Sequence, residues 1–119
     1  MYLKHEIGVI GEDLAVKYLL KNNYKIWKRN FRCKQGEIDI VAWNNNELVI
    51  IEVKTRTKIK YGKPVDAVNV EKRKHIFNAA EYFVYINKLE KDFIRFDVIE
   101  VYINEKKYYI NHIKNIMWT

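Results

Sequence analysis

The fold is decided by residues 36–56, which read GEIDIVAWNNNELVIIEVKTR. The first part alternates, so that Glu37, Asp39 and Val41 are expected on one face of a strand. Residues 48–54 are rich in β-branched side chains and predict a second strand, while the asparagines at 44–46 predict a turn. The stretch therefore predicts a β-hairpin. The residues expected on the opposite face of its first strand are Ile38, Ile40 and Ala42.

The turn determines which residues of the hairpin face each other. We centre it between residues 45 and 46, with either a two- or a four-residue loop. Directly opposite residues have Cβ atoms about 4.5–5.5 Å apart, whereas a three-residue loop would shift the register. The hairpin would therefore gather two carboxylates and an ammonium group on one face. The expected pairs are Val41 with Ile50, Asp39 with Glu52, and Glu37 with Lys54.

The predicted Asp39–Glu52 pair is unusual as pure structure, because like charges directly opposite each other destabilise a sheet. A divalent cation between them would convert the repulsion into binding, since Mg²⁺ prefers carboxylate, water and phosphate oxygens. Lys54 would add a proton-transfer group or a positive charge for a phosphate. The alternative is a solvated face on which Lys54 neutralises both acids. The pattern of charges in the hairpin alone favours this alternative. The Lys- and Arg-rich segments beside the hairpin favour a metal site instead.

Basic residues are clustered near this hairpin. The chain has 119 residues, with 22 Lys+Arg against 15 Asp+Glu and a net charge of +7. Residues 25–34 and 54–63 each hold five basic residues and no acid. Such residues position a phosphate backbone, so the expected partner is nucleic acid; the choice of DNA over RNA rests on the family resemblance given below. The candidate nucleic-acid contacts are Arg29, Arg32, Arg56, Lys58 and Lys72.

Length and composition limit the remaining possibilities. The length predicts a single domain over residues 1–119, and 49% hydrophobic residues exclude disorder. The lone Cys33 and the lack of an apolar leader or long apolar run predict a cytoplasmic protein with no membrane partner. So small a chain has no room for a separate specificity domain. A homodimer or a protein partner is therefore expected to supply it.

The rest of the chain predicts a mixed α/β domain whose helices cover a central sheet. Gly8 and Gly11 weaken the first helix, and close packing is the expected reason for both. Asn69 is the expected cap of the second helix, residues 60–64 the expected loop, and residues 112–119 are left ambiguous. The predicted helices span residues 6–21 and 70–87, and the further strands 24–32, 95–103 and 107–111.

The acid followed by acid-x-Lys on a hairpin resembles the PD-(D/E)XK signature of restriction-endonuclease-like nucleases. A longer series resembles the YraN-like family of bacterial proteins, in the right order over nearly the whole chain. That family's function is inferred from its similarity to the nuclease superfamily, which includes archaeal Holliday-junction resolvases. The residues that carry the resemblance are Gly11-Glu12, Ala15, Tyr18-Leu19, Arg29-Asn30-Phe31-Arg32, Gly36-Glu37-Ile38-Asp39, Glu52-Val53-Lys54-Thr55-Arg56, Tyr61-Gly62, Pro64, Ala67-Val68, Lys72 and Arg95-Phe96-Asp97-Val98.

This resemblance implies a restriction-endonuclease-like three-layer fold, a mixed central β-sheet flanked by helices. It also implies a site for Mg²⁺ or Mn²⁺ with Asp39 and Glu52 as ligands, completed by the main-chain carbonyl of Val53. Glu12 would be a further ligand or would hold a metal-bound water, and Lys54 would be the catalytic lysine. The implied activity is hydrolysis of DNA phosphodiester bonds, on branched (Holliday-junction-like) or damaged DNA. The alternative is a non-catalytic nucleic-acid-binding module that acts with a protein partner.

Other notable residues have plainer interpretations. Ile38 stands where the superfamily signature has proline, which supplies no ligand. Glu37 is interpreted either as a partner of Lys54 or as an ordinary hairpin ion pair. Arg95 and Asp97 share a strand face and are interpreted as structural. The three tryptophans are assigned to packing, and the three histidines lack the spacing of zinc ligands.

Overall fold

A five-stranded sheet lies between two helices in the computed structural model, which describes residues 3–57, 70–89 and 94–116. The predicted element order and the restriction-endonuclease-like α/β class are confirmed. The elements are α1 (Lys4–Lys21), β1 (Lys25–Cys33), β2 (Gly36–Asn44), β3 (Glu47–Arg56), α2 (Val70–Ile86), β4 (Ile94–Asn104) and β5 (Lys107–Ile113). The predicted cap Asn69 and the predicted loop 60–64 lie outside the described residues.

The strands follow their sequence order across the sheet, β1-β2-β3-β4-β5. All neighbours are antiparallel except β3 and β4, which run parallel from Leu48↔Ile94 to Arg56↔Tyr102. Parallel neighbours need a crossover connection, and α2 lies within the one that joins these two strands. The ambiguous C-terminal segment continues β5 to Ile113.

Each face of the sheet is covered by one helix. Burial of apolar area on both faces is the main stabilising contribution to such a sandwich. No helix in the described part of the chain is both long enough and apolar enough to span a membrane. The α1-side cluster consists of Ala15, Leu19, Tyr24, Ile40, Ala42, Val49, Ile51, Ile99 and Val101. The α2-side cluster consists of Ile38, Val41, Leu48, Ile50, Ile76, Ala79, Ala80, Phe83, Val84 and Val98.

The predicted hairpin register is confirmed up to residue 40. Asn44 pairs with Glu47 across a two-residue turn, and the ladder runs to Ile40↔Ile51. Asn45 has a φ of 56°, a left-handed conformation that asparagine tolerates better than most residues. The ladder ends at that last pair. The predicted pairs Asp39–Glu52 and Glu37–Lys54 are therefore not part of the ladder, but the predicted closeness of the Asp39 and Glu52 carboxyl groups is confirmed, because Asp39 raises the pKa of Glu52.

The predicted alternation along β2 is wrong at Ile38. Ile38 packs in the α2-side cluster, whereas Ile40 packs in the α1-side cluster, so the two do not share a face. Asn30, in the neighbouring strand, has a φ of 52°. The β1–β2 register is nevertheless the same on both sides of Asn30, at Arg29↔Ile40 and Phe31↔Ile38, and its shift lies between Ile26 and Lys28. The polar residue Asp39, between Ile38 and Ile40, sits at the point where the face changes.

A buried polar network ties β4 to β5 and α1. Asp97 is fully buried and receives two hydrogen bonds from Arg95, at 3.0 and 2.9 Å. His112 Nε2 lies 2.7 Å from Asp97 Oδ2, and its Nδ1 lies 2.9 Å from the Tyr18 hydroxyl. Arg95 also donates to the Tyr24 hydroxyl at 2.6 Å. These contacts confirm the structural role predicted for Arg95 and Asp97.

The two glycines of α1 have different surroundings. A Cβ atom on Gly11 would collide with the Thr55 side chain of β3, so close packing explains this glycine. A Cβ atom on Gly8 would meet no heavy atom of the described residues within 4 Å. The packing explanation is therefore confirmed for Gly11 and wrong for Gly8.

We expect Asp97→Asn to lower the free energy of unfolding by about 3 kcal/mol, because it removes the buried counter-charge of Arg95 and leaves the guanidinium only the partly exposed Glu47, 3.1 Å from Nη1. Burial acts to raise the pKa of Asp97, but hydrogen bonds from His112, Arg95 and the Asn115 main chain outweigh it and hold the pKa below its usual range. The stabilisation is therefore present above the unfolded pKa and lost as pH falls through the lower folded pKa. Urea titrations over this pH range should show that the free energy of unfolding falls less on acidification in Asp97→Asn than in the parent. Equal stabilities of the two proteins at neutral pH would contradict the structural role of Asp97.

Gly11→Ala and Gly8→Ala form a matched pair with opposite expected signs. Gly11→Ala should destabilise by about 1–3 kcal/mol through overpacking against Thr55. Gly8→Ala should stabilise by about 0.5–1 kcal/mol, because alanine favours the helix and its methyl meets open space. Thermal melts of both variants test this, and a shift in the same direction for both would refute the packing assignment.

Candidate functional site

The candidate site forms where β2 and β3 part. Beyond the last ladder pair, Ile40↔Ile51, the Val53 main-chain N–H donates to Asp39 Oδ2 at 2.9 Å. The carboxylate thus accepts a hydrogen bond that a main-chain carbonyl would take in a continued ladder. The two strands diverge while remaining joined through this side chain. Asp39 is thereby held at the inner end of the opening.

Glu52 is buried beside this opening. Its neighbours at even positions on β3, Leu48 and Ile50, belong to the α2-side cluster, and Glu52 is 2% exposed. Lys72, in the first turn of α2, places Nζ 3.6 Å from Glu52 Oε2. Oε1 is buried and has no hydrogen-bond partner among the described residues. A buried carboxylate oxygen without a donor is costly, and it is the kind of atom that a cation would satisfy.

Four charged groups crowd this region. Burial, and next the charge of Asp39, raise the pKa of Glu52 to about 8, against the opposing influence of Lys72 and Lys54. Burial and the neighbouring Lys72 lower the pKa of Lys54 to about 8. Opposite shifts of an acid and a base in a cleft are typical of functional sites. Near neutral pH, both side chains can therefore gain or lose a proton.

Glu12 reaches the same opening from α1. Its carboxylate accepts hydrogen bonds from Arg29 Nε at 3.1 Å and from Asn30 Nδ2 at 3.0 Å. Arg29 also binds Asp13 at 2.7 Å. Within the described ranges, no three His, Cys, Asp or Glu side chains are grouped closely enough to hold a metal ion together. Asp39 and Glu52 thus stand as a pair, and the role of Glu12 stays a prediction.

A groove of about 960 Å³ opens outward from Asp39. It runs between α1 and the diverging strands. Four basic side chains on its walls suit a polyanion. The charged residues that line it are Lys4, Glu12, Arg29, Arg32, Glu37, Asp39 and Lys54.

The predicted nucleic-acid contacts fall in different places. Arg29 and Arg32 line the groove, and Arg32 forms an exposed ion pair with Glu37 at 3.7 Å. This partner of Glu37 lies in β1, so neither of the two interpretations of Glu37, both of which concern the 36–56 hairpin, is confirmed. Arg56 lies 3.8 Å from the buried Glu100, and Lys58 lies outside the described residues.

Lys72 and Glu100 have surroundings that the sequence did not indicate. Lys72 contacts the carboxylate cluster rather than the groove wall. Glu100 is buried, lies opposite Lys54 in the parallel register, and accepts hydrogen bonds from Tyr102 and Asn111. An acid inside the apolar run of β4 was the available signal for Glu100.

We expect Glu52→Gln to be more stable than the parent in EDTA at about pH 9, by about 1–3 kcal/mol, because it removes a buried charge. A carboxyl whose pKa is raised by folding costs stability increasingly as pH rises from its unfolded value through its folded value of about 8. The advantage should therefore vanish near pH 4. Glu105→Gln, at the exposed β4–β5 turn, is the control, and a parent that is more stable at high pH would contradict the burial cost.

Comparisons with known proteins agree on one family. A family model described as uncharacterised protein family UPF0102 matches residues 11–101. A UPF0102 protein of Caldicellulosiruptor saccharolyticus is 48% identical over 114 residues, which cover 94% of this chain and 97% of the relative. A UPF0102 protein of Clostridioides difficile is 49% identical over 110 residues, covering 92% and 95%. The YraN-like resemblance is confirmed, and the chain belongs to the UPF0102 family.

Proposed function

We propose that this protein is a nuclease that hydrolyses DNA phosphodiester bonds with Mg²⁺ or Mn²⁺. The observation that carries the proposal is the buried Glu52, whose Oε1 lacks a partner among the described side chains, beside Asp39 and Lys54. Asp39 and Lys54 line a groove whose charged side chains are four basic and three acidic residues, and Glu52 is buried behind Asp39. Carboxylates, a lysine and a polyanion-binding groove are what metal-assisted hydrolysis of a phosphodiester requires.

The donor set suits a hard divalent cation. Asp39 and Glu52 offer carboxylate oxygens, and the Val53 main-chain carbonyl is a further oxygen donor on the same strand as Glu52. When bound, the ion supplies an activated water and positive charge for the phosphate. Burial, and after it the charge of Asp39, raise the pKa of Glu52, and a cation bound between the two carboxyl groups would lower it.

The protein's own residues have distinct parts in this proposal. Lys54 Nζ, with a pKa near 8, can accept or donate a proton close to the reacting phosphate, or stabilise its charge. Lys72 holds Glu52 in place from α2. Glu12, fixed by Arg29 and Asn30, faces the groove from α1 and can orient a water there.

We expect metal-dependent cleavage of at least one DNA by the parent protein, and its loss in Glu52→Gln and Asp39→Asn. The assay would incubate labelled single-stranded, duplex, flapped and four-way-junction DNA with Mn²⁺ or with EDTA. Each substitution should lower the rate at least about 100-fold, since each removes a charge that acts on the phosphate through the ion. Lys54→Met should do the same.

The control is Glu105→Gln, which removes one exposed acid that does not line the groove and should cleave at the parent's rate. Cleavage that persists in Glu52→Gln would refute the assignment. DNA binding without cleavage in any metal would instead support a binding module that acts with a protein partner. Sedimentation of the parent with and without DNA would then test the proposed homodimer.

A further inference from the structure

One face of α1 forms a row along the groove. Lys4, Gly8 and Glu12 are spaced four residues apart, so they lie above one another on the helix surface. All three line the groove that leads to Asp39. The row thus has the Lys4 ammonium group at one end, the uncovered backbone of Gly8 in the middle, and the hydrogen-bonded carboxylate of Glu12 at the other end.

The residues that the structure describes give no reason for the glycine at position 8. Glycine inside a helix costs about 0.5–1 kcal/mol relative to alanine. Gly11 is required by Thr55, and a Cβ on Gly36 would lie 2.6 Å from the His75 carbonyl oxygen. At Gly8, by contrast, the space where a side chain would project is free of described atoms and faces the groove. The lack of a side chain at Gly8 leaves room for a ligand, because glycine permits close approach to the backbone.

The charges around this room indicate what fills it. Lys4, Arg29 and Arg32 lie on the groove walls, and Lys54 lies at the inner end. Glu12, Glu37 and Asp39 line the same groove, and Arg29 and Arg32 pair with the first two, so the four basic side chains exceed the three acids by one and favour an extended, anionic ligand. We propose that the phosphodiester backbone of the substrate strand lies against α1 at Gly8 on its way to the carboxylate pair. This inference rests on the proposed nuclease function and names where its substrate binds.

The test is a comparison of Gly8→Ala, Gly8→Met and Lys17→Met. Lys17 lies on the exposed surface of α1 and does not line the groove, so Lys17→Met adds the same side chain elsewhere on the helix. Binding of fluorescent duplex and four-way-junction DNA would be measured in EDTA, so that no cleavage interferes. Thermal melts would be recorded for every variant.

We expect Gly8→Met to bind DNA at least about tenfold more weakly than the parent, although it changes no charge, because its side chain fills the space of the backbone contact. Gly8→Ala should lose less, and both should melt at or above the parent's temperature. Lys17→Met should stay within about threefold of the parent, although it loses a positive charge.

Four results would overturn the inference. Parent-like DNA affinity of a folded Gly8→Met would show that no strand passes there. Unfolding of Gly8→Met would show that the position is not open. If the parent protein bound none of the DNAs, both the proposed function and this inference would be refuted. If Lys17→Met lost as much affinity as Gly8→Met, the proposed function would stand and only the proposed location of the strand would be refuted.

Discussion

The hydrogen bond from the Val53 N–H to the Asp39 carboxylate is the constraint on which the rest of the site depends. A main-chain acceptor there would continue the ladder and close the sheet. Because the Asp39 side chain is the acceptor instead, the β2–β3 ladder ends, and the Val53–Asp39 hydrogen bond still links the two strands. The separation of the strands creates the groove, and the same carboxylate stands at its inner end. One residue therefore shapes the opening and supplies its charge.

The second element of the site is a buried acid that the fold tolerates at a cost. β3 is central in the sheet and is buried on both faces from Leu48 to Glu52, so Glu52 has little access to water. Lys72 and Lys54 offset part of its charge, yet the pKa of Glu52 remains well above its usual range. A buried acid that costs free energy persists only where the rest of the structure is stable enough to hold it, and such residues are typical of functional positions.

The order of elements could be predicted because it depends on local signals. The alternation in residues 36–42, the run of asparagines and the helical spacing of Ile76, Ala79 and Phe83 each indicate one element. The face change at Ile38 could not be predicted, because the sequence of residues 36–42 alternates without a break although Ile38 and Ile40 pack in different clusters. The contacts of Lys72 with Glu52 and of Arg56 with Glu100 depend on how separate elements pack, which periodicity does not encode.

The parallel pairing of β3 with β4 determines when the site can exist during folding. β1, β2 and β3 form a meander of neighbouring strands, whose pairing needs only short loops to close. Leu48 meets Ile94 only after the whole crossover has been made, and such long-range pairing forms slowly. During synthesis, the acids of the hairpin therefore emerge early but stay solvated, with ordinary affinities for protons and ions. Glu52 becomes buried only when α2 and β4 arrive, so completion of the fold and acquisition of its unusual chemistry are the same late event.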